Sequence, residues 1–245
     1  MDKSLHIFGI RAIQEALSNN QSIDKVWIQQ GDKSPLLRQL ENQLRKEGVS
    51  TSYVPKEKFN SFQNENHQGA VGRISPVPIH SLETLLEKGF ETDSPLILLL
   101  DHITDPHNLG AILRSAAATG VNCVVLPETG SAPLNGTTIK TSAGAIFEIP
   151  IAKVNHLKDA LFLLKAYDIS VIGVTEKADD VPYQKNLQGP IAIVMGSEDK
   201  GIHPSILKLI DTKVKLPMVS KVASLNVSVA AGLILYEIIR QRHHQ

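Results

Sequence analysis

The chain has 245 residues, 42% hydrophobic and 20% charged, which fits one large or two modest globular domains. Lys plus Arg and Asp plus Glu each number 25, so no bulk positive charge marks a nucleic-acid partner, although a local basic patch stays open. The single cysteine, Cys123, rules out an internal disulfide, and MDKSLHIFGI lacks the apolar core of a signal peptide, so a reducing cytosol is the expected setting.

From the N-terminus, FGIRAIQEAL puts Ile10, Ile13, Ala16 and Leu17 on one helical stripe. SIDKVWIQQG reads as a strand ended by Gly31. SPLLRQLENQLRKEG reads as an amphipathic helix, with Ser34 as N-cap, Pro35 at its first position and Gly48 beyond its end. STSYVPKEKF and HQGAVGRIS supply further strands, so residues 1–75 form a small α/β domain. Residues 76–94 change character. Pro76 and Pro78 open the stretch, Glu83, Glu87, Glu91 and Asp93 make it acidic, and SLETLLEKG is a short helix inside what reads as a linker.

Residues 95–245 alternate. Strands are predicted at PLILLLD, NCVVLP, FEIPIAKV, ISVIGVTE, PIAIVMG and VKLPM. Helices are predicted after Asn108, from His156 to Tyr167, from Pro204 to Ile210 and from Leu225 to Arg242. Near-continuous Val/Ile/Leu strands separated by helices imply a parallel sheet covered on both faces. Ligands of such sheets gather beyond the carboxyl ends of the strands. Three polar segments lie there: DHITDPHNLGAILRSAAATG, MGSEDKGIHP and SLNVSVAAG. In the first, Asn108 is a candidate helix cap and Arg114 stands among small residues. In the second, Glu198 lies between Gly196 and Gly201 and is placed to hold a hydroxyl or pair with Arg114. The third carries more polar residues, Ser224, Asn226 and Ser228, than one cap requires.

No G-x-G-x-x-G, G-x-x-x-x-G-K-[ST] or G-x-S-x-G is present, so dinucleotide, P-loop and serine-hydrolase chemistries are unsupported. Asp101, His102, Asp105 and His107 match no familiar zinc spacing, and no metal is expected. Cys123, beside Val124 and Val125, reads as packing.

In order and spacing the three segments resemble the motifs of the SpoU (TrmH-like) family of RNA 2′-O-ribose methyltransferases: Asn108-Leu-Gly-Ala-Ile-Leu-Arg114, Met195-Gly-Ser-Glu198-Asp-Lys-Gly201 and Ser224-Leu-Asn226-Val-Ser228-Val-Ala-Ala-Gly232. IFGIRAIQEAL and HQGAVGRI resemble the N-terminal RNA-binding domain of the bacterial subgroup that methylates a guanosine of 23S ribosomal RNA. Arg11 stands where that subgroup would have His, a departure that bears on RNA contact.

The resemblance implies an α/β fold of SPOUT type: a trefoil-knotted parallel-sheet domain with a small L30e-like RNA-binding domain before it. It implies a cytoplasmic homodimer, 23S ribosomal RNA as partner and S-adenosyl-L-methionine as cofactor. The cofactor pocket carries over to Gly196, Leu216 and Leu225, with Ile202 and Met218 nearby. The catalytic positions carry over to Asn108, Arg114, Glu198, Ser224 and Asn226. The family assigns its Arg the part of proton acceptor. A guanidinium stays protonated at any ordinary pH, so Arg114 reads better as a cation for RNA phosphate and the developing alkoxide. A transfer-RNA ribose methyltransferase and a non-catalytic RNA-binding protein of the same fold are the alternatives. The N-terminal domain speaks against the first, and the complete polar set against the second.

Overall fold

A computed structural model describes residues 6–18, 22–31, 34–62, 65–74, 77–219 and 224–243. The chain divides into two compact units, Met1–Pro78 and Ile79–Gln245.

The first unit has a four-stranded sheet in the order β1-β4-β2-β3. Its strands are β1 (His6–Phe8), β2 (Ile23–Gln29), β3 (Thr51–Val54) and β4 (Ala70–Ile74), with helices α1 (Ile10–Ser18) and α2 (Pro35–Lys46). Alternation along β2 sends Val26 and Ile28 into a core with Ile10, Ile13 and Ala16 of α1 and Leu37, Leu40 and Leu44 of α2. Trp27 therefore faces the other way. Residues paired across antiparallel strands share a face, so the pairs His6 with Arg73, Phe8 with Val71 and Trp27 with Val71 put these side chains together. A 3₁₀ segment, Lys56–Phe62, covers part of this second face with Phe59 and Phe62. The sequence reading missed β1, which is only three residues long.

The second unit has a seven-stranded sheet in the order β11-β9-β10-β6-β7-β8-β5, with every pairing parallel. Its strands are β5 (Ile79–His80), β6 (Leu96–Asp101), β7 (Cys123–Pro127), β8 (Ile151–Val154), β9 (Ser170–Val174), β10 (Ile191–Gly196) and β11 (Thr212–Val214). Its helices are α3 (Leu82–Lys88), α4 (Pro106–Ala118), α5 (Gly136–Thr141), α6 (Leu157–Ala166), α7 (Pro204–Leu207) and α8 (Val227–His243). Ile97 and Leu99 of β6, with Ala192 and Val194 of β10, pack against residues of α3, α6 and α7. Helix α4 packs against both α5 and α8. The chain runs outward from β6 to β8, then returns to build β9 and β10 on the other side. The order therefore reverses between β6 and β10, and Asp101 and Gly196 are paired at their carboxyl ends. Such a reversal opens a crevice at the strand ends.

Several expectations change. The stretch expected as a linker, 76–94, supplies β5, which pairs with β8, and α3, which buries Leu82 and Leu86 in the second core. Its acidic residues are solvent-facing and mask that apolar stripe, while Pro76 lies outside the described residues. FEIPIAKV yields strand only from Ile151. The residues before it include a 3₁₀ turn, Ala145–Phe147, and Pro150, which has no N–H to give a ladder. VKLPM is not a strand: β11 ends at Val214, ahead of Pro217. Helix α7 stops at Leu207, and the short polar α5, capped by Asn135, was not anticipated. Burial pushes the Cys123 thiol up to about 12, which suits packing rather than nucleophilic attack. Among the described residues, no helix is long and apolar enough to cross a membrane.

Candidate active site at the strand ends

Segments following β9, β10 and β11, together with the approach to α8, enclose a cleft of about 380 Å³. The segment after β10 folds tightly: the Gly201 amide donates to the Ser197 carbonyl at 2.9 Å, and the Lys200 amide donates to Ser197 Oγ at 3.3 Å. Gly201 is left-handed at φ +64°. A Cβ on Gly196 would sit 2.1 Å from both Gly201 C and Ile202 N, so only glycine lets β10 run this close to its own return.

Of the residues expected to hold a cofactor, Gly196, Leu216, Met218 and Leu225 line the cleft, as do Ser224 and Glu198. Ile202 does not. Its side chain is 2% exposed and belongs to the core beneath, so only its backbone borders Gly196. Thr175, Glu176 and Lys177 line the cleft and were missed. The sequence reading extended β9 through Thr175 and Glu176, whereas the strand ends at Val174 and leaves all three at its carboxyl end. Ser220 to Ala223, within the expected loop before Ser224, lie outside the described residues.

The polar positions of the three segments meet beside this cleft. Glu198 Oε1 accepts from Asn226 Nδ2 at 2.5 Å, from the Val227 amide at 3.1 Å and from Asn108 Nδ2 at 3.3 Å. Asn226 Nδ2 also donates to Asn108 Oδ1 at 2.9 Å. Asn226 Oδ1 meanwhile accepts from the Ser228 amide at 2.9 Å, the Ser228 hydroxyl at 2.5 Å and the Val229 amide at 3.4 Å. Asn226 is thus the cap of α8 and the bridge between the other two segments at once. The anionic Glu198 sits at the amino end of α8, where the helix dipole favours negative charge.

Asn108 is not the cap of α4. Asp105 is, accepting from the His107 amide at 3.1 Å and the Asn108 amide at 3.3 Å, with Pro106 opening the helix. That places Asn108 inside the first turn, with its side chain available to the network. Asp101, 1% exposed, accepts from the His203 amide at 2.7 Å and lies 2.5 Å from His102 Nδ1. It ties the end of β6 to the segment after β10. Arg114 is exposed on α4 and makes no ion pair or hydrogen bond among the described residues. The anticipated pairing with Glu198 is therefore replaced by the bonds of Glu198 to Asn108 and to the start of α8.

Residues 95–236 match the SpoU rRNA methylase family over more than half of the chain. The chain belongs to the SpoU rRNA methylase family. Residues 6–80 match a second family, described as RNA 2′-O ribose methyltransferase substrate binding. The chain is 37% identical to the 23S rRNA (guanosine-2′-O-)-methyltransferase RlmB of Photorhabdus laumondii, over 96% of this chain and 98% of the relative. It is 35% identical to RlmB of Escherichia coli K12, over the same shares. A crystal structure of an RNA 2′-O ribose methyltransferase aligns with TM-score 0.60 at 27% identity, covering 97% of this chain and 88% of the other. The SpoU methyltransferase AviRb of Streptomyces viridochromogenes, solved with AdoMet, aligns with TM-score 0.63 over 98% and 91% of the two chains; at 22% identity it bears on the fold alone.

The SpoU match spans all ten positions singled out in the sequence, from Asn108 to Asn226, and the substrate-binding match spans the aromatic face of the first unit. The α/β architecture with a parallel sheet and an N-terminal substrate-binding unit is that of the SpoU structural relatives.

Proposed function

We propose that this SpoU family protein transfers a methyl group from S-adenosyl-L-methionine to the ribose 2′-hydroxyl of a guanosine in 23S ribosomal RNA. The observation that carries the reading is the convergence of three motif segments on one carboxylate oxygen, Glu198 Oε1, at the rim of a cleft. Near-full-length similarity to enzymes named for that reaction supports the substrate. Residues 1–75 then recognise RNA and residues 95–245 carry the chemistry, in the cytoplasm where ribosomes are assembled.

The cleft suits such a cofactor. Its walls combine exposed backbone at Gly196 with apolar Leu216, Met218 and Leu225, as an adenosine requires, and with the polar Thr175, Glu176 and Ser224. When bound, S-adenosylmethionine supplies a methyl group made electrophilic by its sulfonium. The protein's task is to hold the ribose oxygen in line, and such positioning removes on the order of 7 kcal/mol or more of barrier in favourable cases. Asn108, Asn226 and Glu198 form a pre-set polar wall for the ribose, with Ser224 beside them in the cleft. The exposed guanidinium of Arg114 binds phosphate and stabilises the 2′-oxygen as its proton passes to solvent water.

The working form is read as a homodimer built on α8. Val229, Leu233 and Tyr236 stand 50%, 50% and 58% exposed on one stripe of that helix, while Val227, Ala231, Ile234, Leu235 and Ile238 fill the core behind it. In this reading each copy's Arg114 completes the partner's cleft. The trefoil knot belongs to the same reading. The match of residues 95–236 to the SpoU rRNA methylase family is its support.

Labelled S-adenosylmethionine offered with 23S ribosomal RNA or with transfer RNA tests the reading, with the methylated ribose mapped afterwards. The expected label is on a guanosine of the 23S RNA. Label in transfer RNA alone moves the substrate to the other RNA class, and no label in either overturns the enzyme reading.

A further inference from the structure

The first unit carries a hollow of its own. About 260 Å³ is enclosed between the second face of the four-stranded sheet and the segment Lys56–Phe62. Its floor is buried: Phe59 is 3% and Phe62 9% exposed. Its walls are half-buried rings. The His6 ring lies 5.9 Å from the Trp27 ring at 25° and 5.4 Å from the Phe62 ring at 42°. Its rim is polar, with Lys58 and Ser61 exposed. Arg73 closes one side, its Cζ 5.7 Å from the centre of the Trp27 ring. Arg73 Nε donates to Asp24 Oδ2 at 2.6 Å, and Asp24 is 6% exposed, so the guanidinium is held in place over the indole.

Here aromatic rings are left partly open to solvent, with the Lys58 side chain and the Asp24-paired Arg73 guanidinium at the edge. Planar rings with adjacent cations are the materials that take an unpaired base and its phosphates, and every base offers a stacking face. We infer that this hollow is a base-stacking site for single-stranded RNA. An unpaired base of the substrate enters beside Trp27, while Lys58 and Arg73 face its phosphates. The inference rests on the RNA-methyltransferase reading above and deepens it, by placing recognition of an unpaired base in the first unit.

Trp27 is the chain's sole tryptophan, so its fluorescence reports on this pocket alone. The full-length protein is titrated with a short single-stranded oligoadenylate RNA while Trp27 emission is read. Saturable quenching is expected. Ser61→Phe, a change at an exposed rim position, puts a ring into the hollow and should weaken binding on the order of 5- to 150-fold. Lys58→Ala should lower the slope of log affinity against log salt by about 0.7, as for one lost phosphate contact to a single strand. In methylation of 23S RNA, Ser61→Phe should raise KM and leave kcat unchanged. Absence of quenching, or quenching and KM both unmoved by Ser61→Phe, overturns the inference while methyl transfer stands. Quenching that responds to Ser61→Phe in a protein that methylates neither RNA leaves the pocket standing and sinks the methyl-transfer reading instead.

Discussion

The hollow of the first unit is walled by large side chains, whereas the strand-end cleft of the second is shaped by backbone turns and by short polar groups bonded to one another. The difference sets how each responds to change. Rings such as Trp27 and Phe62 give contact area, and their neighbours can shift to admit a new atom. At Gly196 the neighbour is backbone, and Asn108, Glu198 and Asn226 share bonds in such a way that moving one moves the others. The first unit should therefore fail gradually and the second abruptly.

The largest effect should come from paired glycine substitutions. In Gly196→Ala the new Cβ would meet Gly201 C and Ile202 N at 2.1 Å, and no side chain can rotate away. A loss of about 3 kcal/mol or more is expected, with methylation abolished. In Gly72→Ala the Cβ would meet Ile7 Cγ1 at 2.8 Å and Cδ1 at 3.1 Å, side-chain atoms of a partly buried residue rather than backbone. That variant should lose about 1 kcal/mol and keep activity. Denaturant titration and methyl-transfer rates check both, and equal losses would erase the contrast between the units.

Arg114 comes next. It is exposed and unbonded among the described residues, so its removal should not touch stability. Arg114→Ala should lower kcat by about 10²- to 10³-fold, as for loss of one oriented donor to a developing oxyanion. Arg114→Lys keeps the charge but not the planar fork, and should recover only part of the rate. Full activity in the Lys variant would show that a point charge suffices.

Asn226 joins the two kinds of consequence. Asn226→Ala removes the α8 cap, at a cost of about 1 kcal/mol, and also cuts the link from Asn108 to Glu198. Asn226→Ser restores an acceptor for the helix amides but not the Nδ2 donor. Thermal unfolding should therefore recover in Asn226→Ser while turnover stays low. Recovery of both would make Asn226 a cap and nothing more.

How far the sequence announced this arrangement follows the same division. Strands β6, β7, β9 and β10 are legible because each is a Val/Ile/Leu run buried on both faces. Helix α3 was read as part of a linker because its charges are local and visible, whereas the core it joins is distant. At the site, the residue types were legible but their partners were not. Asn108 and Glu198 are 90 positions apart, and Asn108 and Asn226 are 118 apart. Nothing local distinguishes an Asn that caps its own helix from one that follows a capping Asp105. Ser224, Asn226 and Ser228 looked like a surplus of caps. In the fold one of them caps and bridges, one donates to it and one lines the cleft. The parity of β2 turns Trp27 away from Val26 and Ile28, but only the pairing with β4 shows that Arg73 stands over it.

The smallest effect separates the ion pairs of the two units. Arg73 and Asp24 sit beside the RNA hollow, whereas Glu237 and Arg240 lie within α8. Arg240 donates to both Glu237 oxygens at 2.8 Å, and Gln241 Nε2 donates to Oε1 at the same distance. The Arg240 bonds hold the Glu237 carboxyl below its usual range, outweighing the burial that pushes it up. A depressed folded-state pKa means that this contribution is complete above the unfolded pKa and is lost as pH falls through the folded value. Glu237→Gln should therefore be less stable than the parent near neutral pH, and the two should converge in acid as the parent's carboxyl protonates. Because Arg240 is largely exposed, the gap should be modest and should shrink with salt. RNA affinity read through Trp27 should be the same in both proteins, since Glu237 touches neither the cleft nor the hollow. A change in that affinity would mean that the second unit's helix takes part in holding RNA, and the division between the two units would have to be redrawn.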